Sequence, residues 1–158
     1  MKKVLLLYGL LVIVLIGFFL FRGGKIPNFG FGPNASAKIN NKTYKLILAK
    51  TTQDQIKGLS GRDNLPKDTG MLFVFKDKGI YPFWMKNMKF PIDIIFLDDN
   101  EITDVFENAQ IPSAGQADAD LQKYRPSQDV NYVLELNANE SSAQGIKKGD
   151  KITLTGVK

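Results

Sequence analysis

The segment from Phe83 to Met88 carries the densest set of side chains able to do chemistry in this chain, in the order FWMKNM. If the segment is a strand, its side chains alternate between two faces, so Trp84, Lys86 and Met88 share one face. An aromatic platform beside a cation and an amide is a combination that binds sugars and short peptides. We therefore expect Trp84, Lys86 and Asn87 to contact a ligand. The alternative is that Trp84 is a core residue and Lys86 extends to solvent at its edge.

Three charged residues lie in distinctive segments of the chain: Arg62 in GLSGR (58–62), Asp93 in PIDIIFL (91–97) and Glu135 in YVLEL (132–136). An unpaired carboxylate is costly to bury, so Asp93 needs a partner, and Arg62 could bind it bidentately. Arg62 and Asp93 therefore extend the expected ligand site, with a structural ion pair or a turn-capping aspartate as the alternative. Asp93 and Glu135 are also the nearest candidates for the paired carboxylates of a glycoside hydrolase, which is the second functional hypothesis.

The chain contains no cysteine and no histidine. This absence excludes Ser-His-Asp and Cys-His hydrolases, disulfides and thiolate metal sites. Met71, Met85 and Met88 offer thioethers for Cu(I), but Met85 and Met88 would lie on opposite faces of a strand. The acidic run 98–101 lacks the spacing of a calcium loop. We expect no metal and no cofactor.

Residues 4–21 are eighteen consecutive uncharged and mostly apolar residues. As a helix they would extend roughly 27 Å at 1.5 Å per residue, enough to span the core of a bilayer. We predict a short cytoplasmic N-terminus (1–3), a transmembrane helix (4–21), a flexible linker rich in Gly, Pro and Asn (22–36), and a single domain outside the cytoplasm (37–158). A cleaved signal peptide is the alternative.

The net charge of +5 does not indicate nucleic-acid binding, because Lys2, Lys3, Arg22 and Lys25 flank the apolar segment. The remaining chain, residues 38–158, has 17 basic and 16 acidic side chains. A nucleic-acid binder concentrates positive charge on its domain. We expect the membrane and a cell-envelope glycan or peptide as partners, either bound by a non-catalytic module or, in the alternative, hydrolysed.

From residue 37 onward the apolar residues follow the two-residue period of strands, separated by turn-forming residues. Thr52 and Gln55 form a capping box, which predicts a short helix from 52 to about 59 that ends at Gly58 or Gly61. A helical turn is expected over 139–145. The predicted strands are 38–39, 43–49, 71–75, 83–88, 92–97, 102–106, 132–136 and 152–155. They predict a mainly β domain, a β-sandwich or partly closed barrel, with one or two short helices.

Several ordered motifs make the chain similar to the bacterial and archaeal family called domain of unknown function 192: GLSGR (58–62), GMLFVF (70–75), FWMKNM (83–88), PIDIIFL (91–97), YVLEL (132–136) and GIKKGDKI (145–152). The resemblance implies a jelly-roll-like β domain, often behind a signal peptide or anchor, with no established activity. Met88 stands where the family commonly has threonine, so a hydroxyl role at that position is not available here. Residues 137–139 replace a glycine-containing turn.

Overall fold

The computed structural model describes residues 31–157, which form seven strands, two short α-helices and one 3-10 turn. The strands are β1 (Phe31–Ile39), β2 (Lys42–Ala49), β3 (Thr69–Gly79), β4 (Ile92–Asp98), β5 (Glu101–Ala109), β6 (Val130–Asn137) and β7 (Ile152–Thr155). The helices are α1 (Thr52–Lys57) and α2 (Glu140–Gln144), and the 3-10 turn covers Asp118–Asp120.

The seven strands form one mixed sheet in the order β5-β4-β6-β3-β2-β1-β7. Neighbours are antiparallel except for the parallel pair β2 and β3. The sheet curls until its edges meet at one end, where the amide of Ile102 donates to the carbonyl of Asp150 (2.9 Å) and the amide of Ile152 donates to the carbonyl of Asn100 (2.9 Å). The described residues thus form a half-barrel whose edge strands touch at one end.

Both faces of this sheet are apolar. Side chains alternate along each strand, so Leu72 and Leu134 point into the curl while Phe73, Phe96 and Val133 point outward, and all five are buried. Each such side chain contributes about 1.5–3 kcal/mol when removed from water. The outer face must therefore be covered by the connections between strands.

The connections cover the outer face for topological reasons. Parallel neighbours cannot be joined by a hairpin, so residues 50–68, including α1, cross over the sheet between β2 and β3 and bury Leu59. Residues 80–91, between β3 and β4, lie over the same face. Backbone hydrogen bonds between Phe83 and Tyr124 (2.8 and 2.9 Å) join this segment to the β5–β6 connection. The candidate site described below lies between these covering segments.

The expectation of a mainly β domain with one or two short helices and a partly closed barrel is confirmed. The sandwich alternative is wrong for residues 31–157, because all seven strands belong to one sheet. The predicted strand 83–88 is also wrong. Pro82 has no N–H to pair, Phe83 makes one isolated bridge, and Asn87 has a φ of 59°, which turns the chain away from an extended path.

The predicted membrane helix, residues 4–21, lies outside the described residues, as does the N-terminal segment 1–3. Residues 31–36, which were predicted as the end of the linker, belong to β1. Between residues 31 and 157 no helix is long and apolar enough to cross a membrane.

Candidate functional site

A cavity of about 310 Å³ opens on the outer face of the sheet, between α1 and the connection 80–91. Strands β3 and β6 form its floor. It is lined by Thr52, Gln55, Ile56, Lys57, Gly58, Leu59, Ser60, Phe73, Phe75, Tyr81, Pro82, Phe83, Trp84, Lys86, Met88 and Glu135. Its volume is at the lower end of the range for small-molecule sites.

One side of the cavity is α1, which is held by local and long-range hydrogen bonds. The Oγ1 atom of Thr51 accepts a hydrogen bond from the amide of Asp54 (3.1 Å), so the N-cap is Thr51 and not the predicted Thr52. The Nε2 atom of Gln55 donates to the carbonyl of Val74 (2.8 Å). This bond ties the short helix to β3 beside the cavity.

The helix ends at Gly58, one of the two glycines predicted to end it. Gly58 has a φ of 50°, and a Cβ atom at this position would lie 3.2 Å from the ring of Phe73. Glycine therefore allows the chain to turn directly above the floor of the cavity. Just beyond it, the Oγ atom of Ser60 donates to the carbonyl of Lys86 (3.0 Å), which joins the two sides of the cavity.

Aromatic rings form a large part of the wall. Phe75 and Tyr81 are stacked, with ring centroids 3.7 Å apart and planes 7° from parallel. Phe73 and Phe83 meet edge to face, with centroids 4.8 Å apart. Such pairs contribute about 0.5–1.5 kcal/mol beyond burial alone. These contacts hold the rings of each pair against one another in the wall.

Glu135 is the buried acid of the cavity. It lies on β6 between Met71 of β3 and Ile94 of β4, both buried. Glu135 is only 6% exposed, and within the described residues its Oε2 atom has no hydrogen-bond partner. Burial raises the pKa of Glu135 to about 8, because apolar surroundings favour the neutral form. At neutral pH the carboxyl group is therefore mostly protonated.

The mouth of the cavity is apolar and open. Ile56 on α1 is 80% exposed and Trp84 is 49% exposed, although both are large apolar residues. Trp84 is thus not the core residue that the alternative interpretation of the sequence required. Lys86 also lines the cavity, and its Nζ atom forms an ion pair with Asp118.

Arg62 and Asn87, the next residues of the predicted site, lie beside the cavity and are not among its lining residues. The amide of Arg62 donates to the carbonyl of Leu59 (3.2 Å), which closes the turn after α1. The carbonyl of Asn87 accepts from the amide of Gly61 (3.0 Å). Asparagine tolerates the left-handed backbone of this turn, so Asn87 helps to shape the wall from outside.

Asp93 lies elsewhere, fully buried beneath α2. Its Oδ1 atom accepts hydrogen bonds from the amides of Asn108 (2.8 Å) and Asn139 (2.9 Å), and its Oδ2 atom accepts one from the amide of Ser141 (2.7 Å). These bonds join β4 to the end of β5 and to the first turn of α2. The turn-capping alternative describes this geometry, and Asp93 is not among the cavity residues.

Asp93 and Glu135 do not form a carboxylate pair across a cleft. Asp93 is directly opposite Leu136 in the β4–β6 register, whereas Ile94 is opposite Glu135. Residues opposite each other share a face and consecutive residues alternate, so the two carboxyl groups project from opposite faces of the sheet. The sheet register therefore excludes a glycoside hydrolase that uses Asp93 and Glu135 as its pair of carboxylates.

The predicted grouping of Trp84, Lys86 and Met88 reappears in the lining of the cavity, although an irregular segment and not a strand carries them. Sequence reasoning missed the stacked rings of Phe75 and Tyr81 and did not place Glu135 with Trp84. The sequence does contain a pattern that predicts part of this arrangement. Period-two alternation over 132–136 puts Glu135 on the same face as Val133, and the same alternation puts Phe73 and Phe75 on one face of β3.

The chain is similar to one protein family and to solved structures of other proteins. The profile of the family DUF192, described as uncharacterized ACR, matches residues 35–154. A protein of unknown function from Novosphingobium aromaticivorans DSM 12444 is 28% identical, with a TM-score of 0.67 over 75% of this chain and 83% of that one. A protein from Sinorhizobium meliloti 1021, described as a candidate transcription regulator, is 29% identical, with a TM-score of 0.68 over 77% of this chain and 94% of that one. No curated protein matches the chain.

Proposed function

The chain belongs to the DUF192 family of uncharacterised proteins, and from this premise we propose that its domain is a non-catalytic binding module, tethered to the cell envelope by an N-terminal membrane anchor. The observation that carries the proposal is the cavity of about 310 Å³ with packed aromatic rings in its wall and a half-exposed Trp84 at its mouth. Concave, mostly apolar sites with a few polar groups are typical of ligand binding. The carboxylate pair that hydrolysis would need is absent from this cavity, since Asp93 lies on the other face.

Of the two partner classes expected at the envelope, a peptide suits the cavity better than a glycan. A glycan presents many hydroxyl groups that need hydrogen-bond partners when they are buried. The lining of the cavity is mainly apolar, and two of its polar side chains, Gln55 and Ser60, already donate to backbone carbonyls, so few groups are left to pair with many hydroxyls. One apolar side chain or one end of a short peptide would fill such a space.

The description of one relative as a candidate transcription regulator does not lead us to propose nucleic-acid binding here. Residues 38–158 carry 17 basic and 16 acidic side chains, so the domain is almost neutral. Affinity for phosphates requires a concentration of positive charge.

Replacing Trp84 by alanine should weaken binding without unfolding the domain. Trp84 is 49% exposed, so its removal leaves the buried core intact, whereas loss of the ring at the mouth should reduce affinity about tenfold or more. The measurement is binding of the full-length chain to arrays of envelope peptides and glycans, with circular dichroism as the check on folding. Ile111→Ala is the matched control, because Ile111 is 45% exposed and lies outside this cavity. Equal binding by both variants would contradict the proposal.

If segment 4–21 is a membrane anchor, the full chain should remain in the membrane with its domain outside the cell. The uncharged segment 4–21 should keep the protein in the membrane fraction after alkaline carbonate extraction, and protease added outside the cell should digest the domain. Deleting 4–21 should release the domain into the soluble fraction. A mature N-terminus beyond residue 21 in the exported protein would show signal cleavage and refute the anchor.

A further inference from the structure

The buried acid at the floor of the cavity is not explained by the fold. An unsatisfied polar group destabilises a protein by about 1–3 kcal/mol, and the Oε2 atom of Glu135 has no hydrogen-bond partner in the described part of the chain. Its cross-strand neighbours Met71 and Ile94 show that apolar side chains fit this layer of the sheet. A buried acid with an unpartnered oxygen atom at the floor of a cavity is a candidate for contact with a ligand.

We infer that the cavity binds a primary ammonium group on an alkyl or aryl stem, with the carboxyl group of Glu135 as its counter-ion and the aromatic rings around the stem. This inference rests on the proposed binding function and specifies its ligand class. An ammonium group supplies the charged donor that the free Oε2 atom lacks, and charge-assisted hydrogen bonds are about twice as strong as neutral ones.

The aromatic wall supports the same ligand chemistry. Tyr81, Phe83 and Trp84 line the cavity together with Glu135, and the faces of aromatic rings attract cations. The apolar stem of the ligand would pack on the same rings. A carboxylate or phosphate ligand is disfavoured by the same rings, because the face of an aromatic ring carries partial negative charge.

A metal ion is a poorer occupant of this floor. Among residues 31–157 no three His, Cys, Asp or Glu side chains cluster in a way that could hold a metal. Calcium requires six to eight oxygen ligands and magnesium near-octahedral coordination. One carboxyl group among aromatic rings cannot provide either.

The other charged groups around Glu135 come from the two covering segments. The segment 80–91 contributes Lys86, whose charge is balanced by Asp118. The α1 side contributes Lys57, which is exposed and therefore screened by salt, and Arg62, which lies outside the cavity lining. The neighbours of Glu135 on β3 and β4 are apolar. The charge that a bound ammonium meets at the floor is therefore that of Glu135.

Binding should release a proton, because the free acid is mostly protonated and the complex needs the carboxylate. The proton passes to the buffer, while the ammonium keeps its own protons and pairs with the carboxylate. With a pKa of about 8 for Glu135, the free carboxyl group is mostly protonated at pH 7, so most of one proton should be released per ligand. Affinity for the amine should rise from pH 6 to pH 8.

The test is calorimetric titration of the full-length chain in detergent micelles at pH 7, in phosphate and in MOPS, two buffers that have different ionisation heats and contain no primary ammonium group. The probes are 2-phenylethylamine and its neutral match 2-phenylethanol. We expect the amine to bind at least tenfold more tightly than the alcohol, with proton release. Glu135→Gln should lose both the preference and the proton. Glu107→Gln, which removes an exposed acid, should behave as the parent chain.

Two outcomes separate this inference from the proposed function. If the alcohol binds as tightly as the amine, or the amine binds Glu135→Gln unchanged, the ammonium assignment is overturned while the binding module stands. If neither these probes nor any envelope peptide or glycan binds, both are overturned. If the amine binds as expected, two further probes distinguish its source. Nα-acetyl-lysine amide represents a lysine side chain, and phenylalanine amide represents a peptide amino terminus.

Discussion

Replacing Glu135 by glutamine should stabilise the domain relative to the parent chain, by a margin that grows with pH. The folded-state pKa of Glu135, about 8, lies above its ordinary value of 4.5. Between these pH values the folded chain holds a proton that the unfolded chain has lost, so raising the pH favours unfolding. The difference in unfolding free energy between variant and parent should increase by about 1 kcal/mol per pH unit from pH 5.5 to 7.5.

Urea unfolding at pH 5.5, 6.5 and 7.5, followed by circular dichroism, measures this difference directly. Glu107→Gln again serves as the control, because Glu107 is exposed on β5 and should show no such trend. A pH-independent difference for Glu135→Gln would contradict a raised folded-state pKa. If Glu135→Gln shows the expected trend and also loses amine binding, Glu135 lowers the stability of the parent protein and is needed for ligand binding.

Replacing Asp93 by alanine should destabilise the domain by about 3 kcal/mol or more, because each buried donor left without its acceptor costs about 1–3 kcal/mol. This loss is a large part of the stability of a domain of this size. The substitution removes the acceptor for three backbone amides, those of Asn108, Asn139 and Ser141, and leaves these donors without their bonds. Asn139, the N-cap of α2, makes no side-chain cap bond of its own, so α2 should lose its start as well.

Denaturant unfolding and amide hydrogen exchange at Asn108, Asn139 and Ser141 measure this effect. Asp93→Asn keeps one acceptor oxygen and should fall between the parent and Asp93→Ala. Asp77→Asn is the control, since Asp77 is an exposed acid of β3. A loss below about 1 kcal/mol for Asp93→Ala would show that other groups or water replace the carboxyl oxygens. Glu135→Gln and Asp93→Ala are thus expected to change stability in opposite directions, although both remove a buried acid.

Several features of the fold follow from local sequence. Period-two alternation placed strands at 71–75, 92–97 and 132–136 within the observed β3, β4 and β6. Gly58 ended α1 as expected, because a residue without a Cβ atom adopts a positive φ easily and so turns the chain out of the helix. The strand expected over 83–88 was wrong, because Pro82 and the turn at Asn87 outweigh a favourable composition.

The chemical roles of the two acids, by contrast, depend on strand order and register. By itself the sequence determined the β class, the family, the apolar segment 4–21 and the grouping of Trp84, Lys86 and Met88, since these depend on composition and neighbours in the chain. Only the tertiary structure decided that Asp93 meets amides 15 to 48 residues away, whereas Glu135 faces a cavity formed by the connections over the sheet. Hydrogen-bond partners so distant in sequence, and the burial that shifts a pKa, are properties of packing and leave no local pattern.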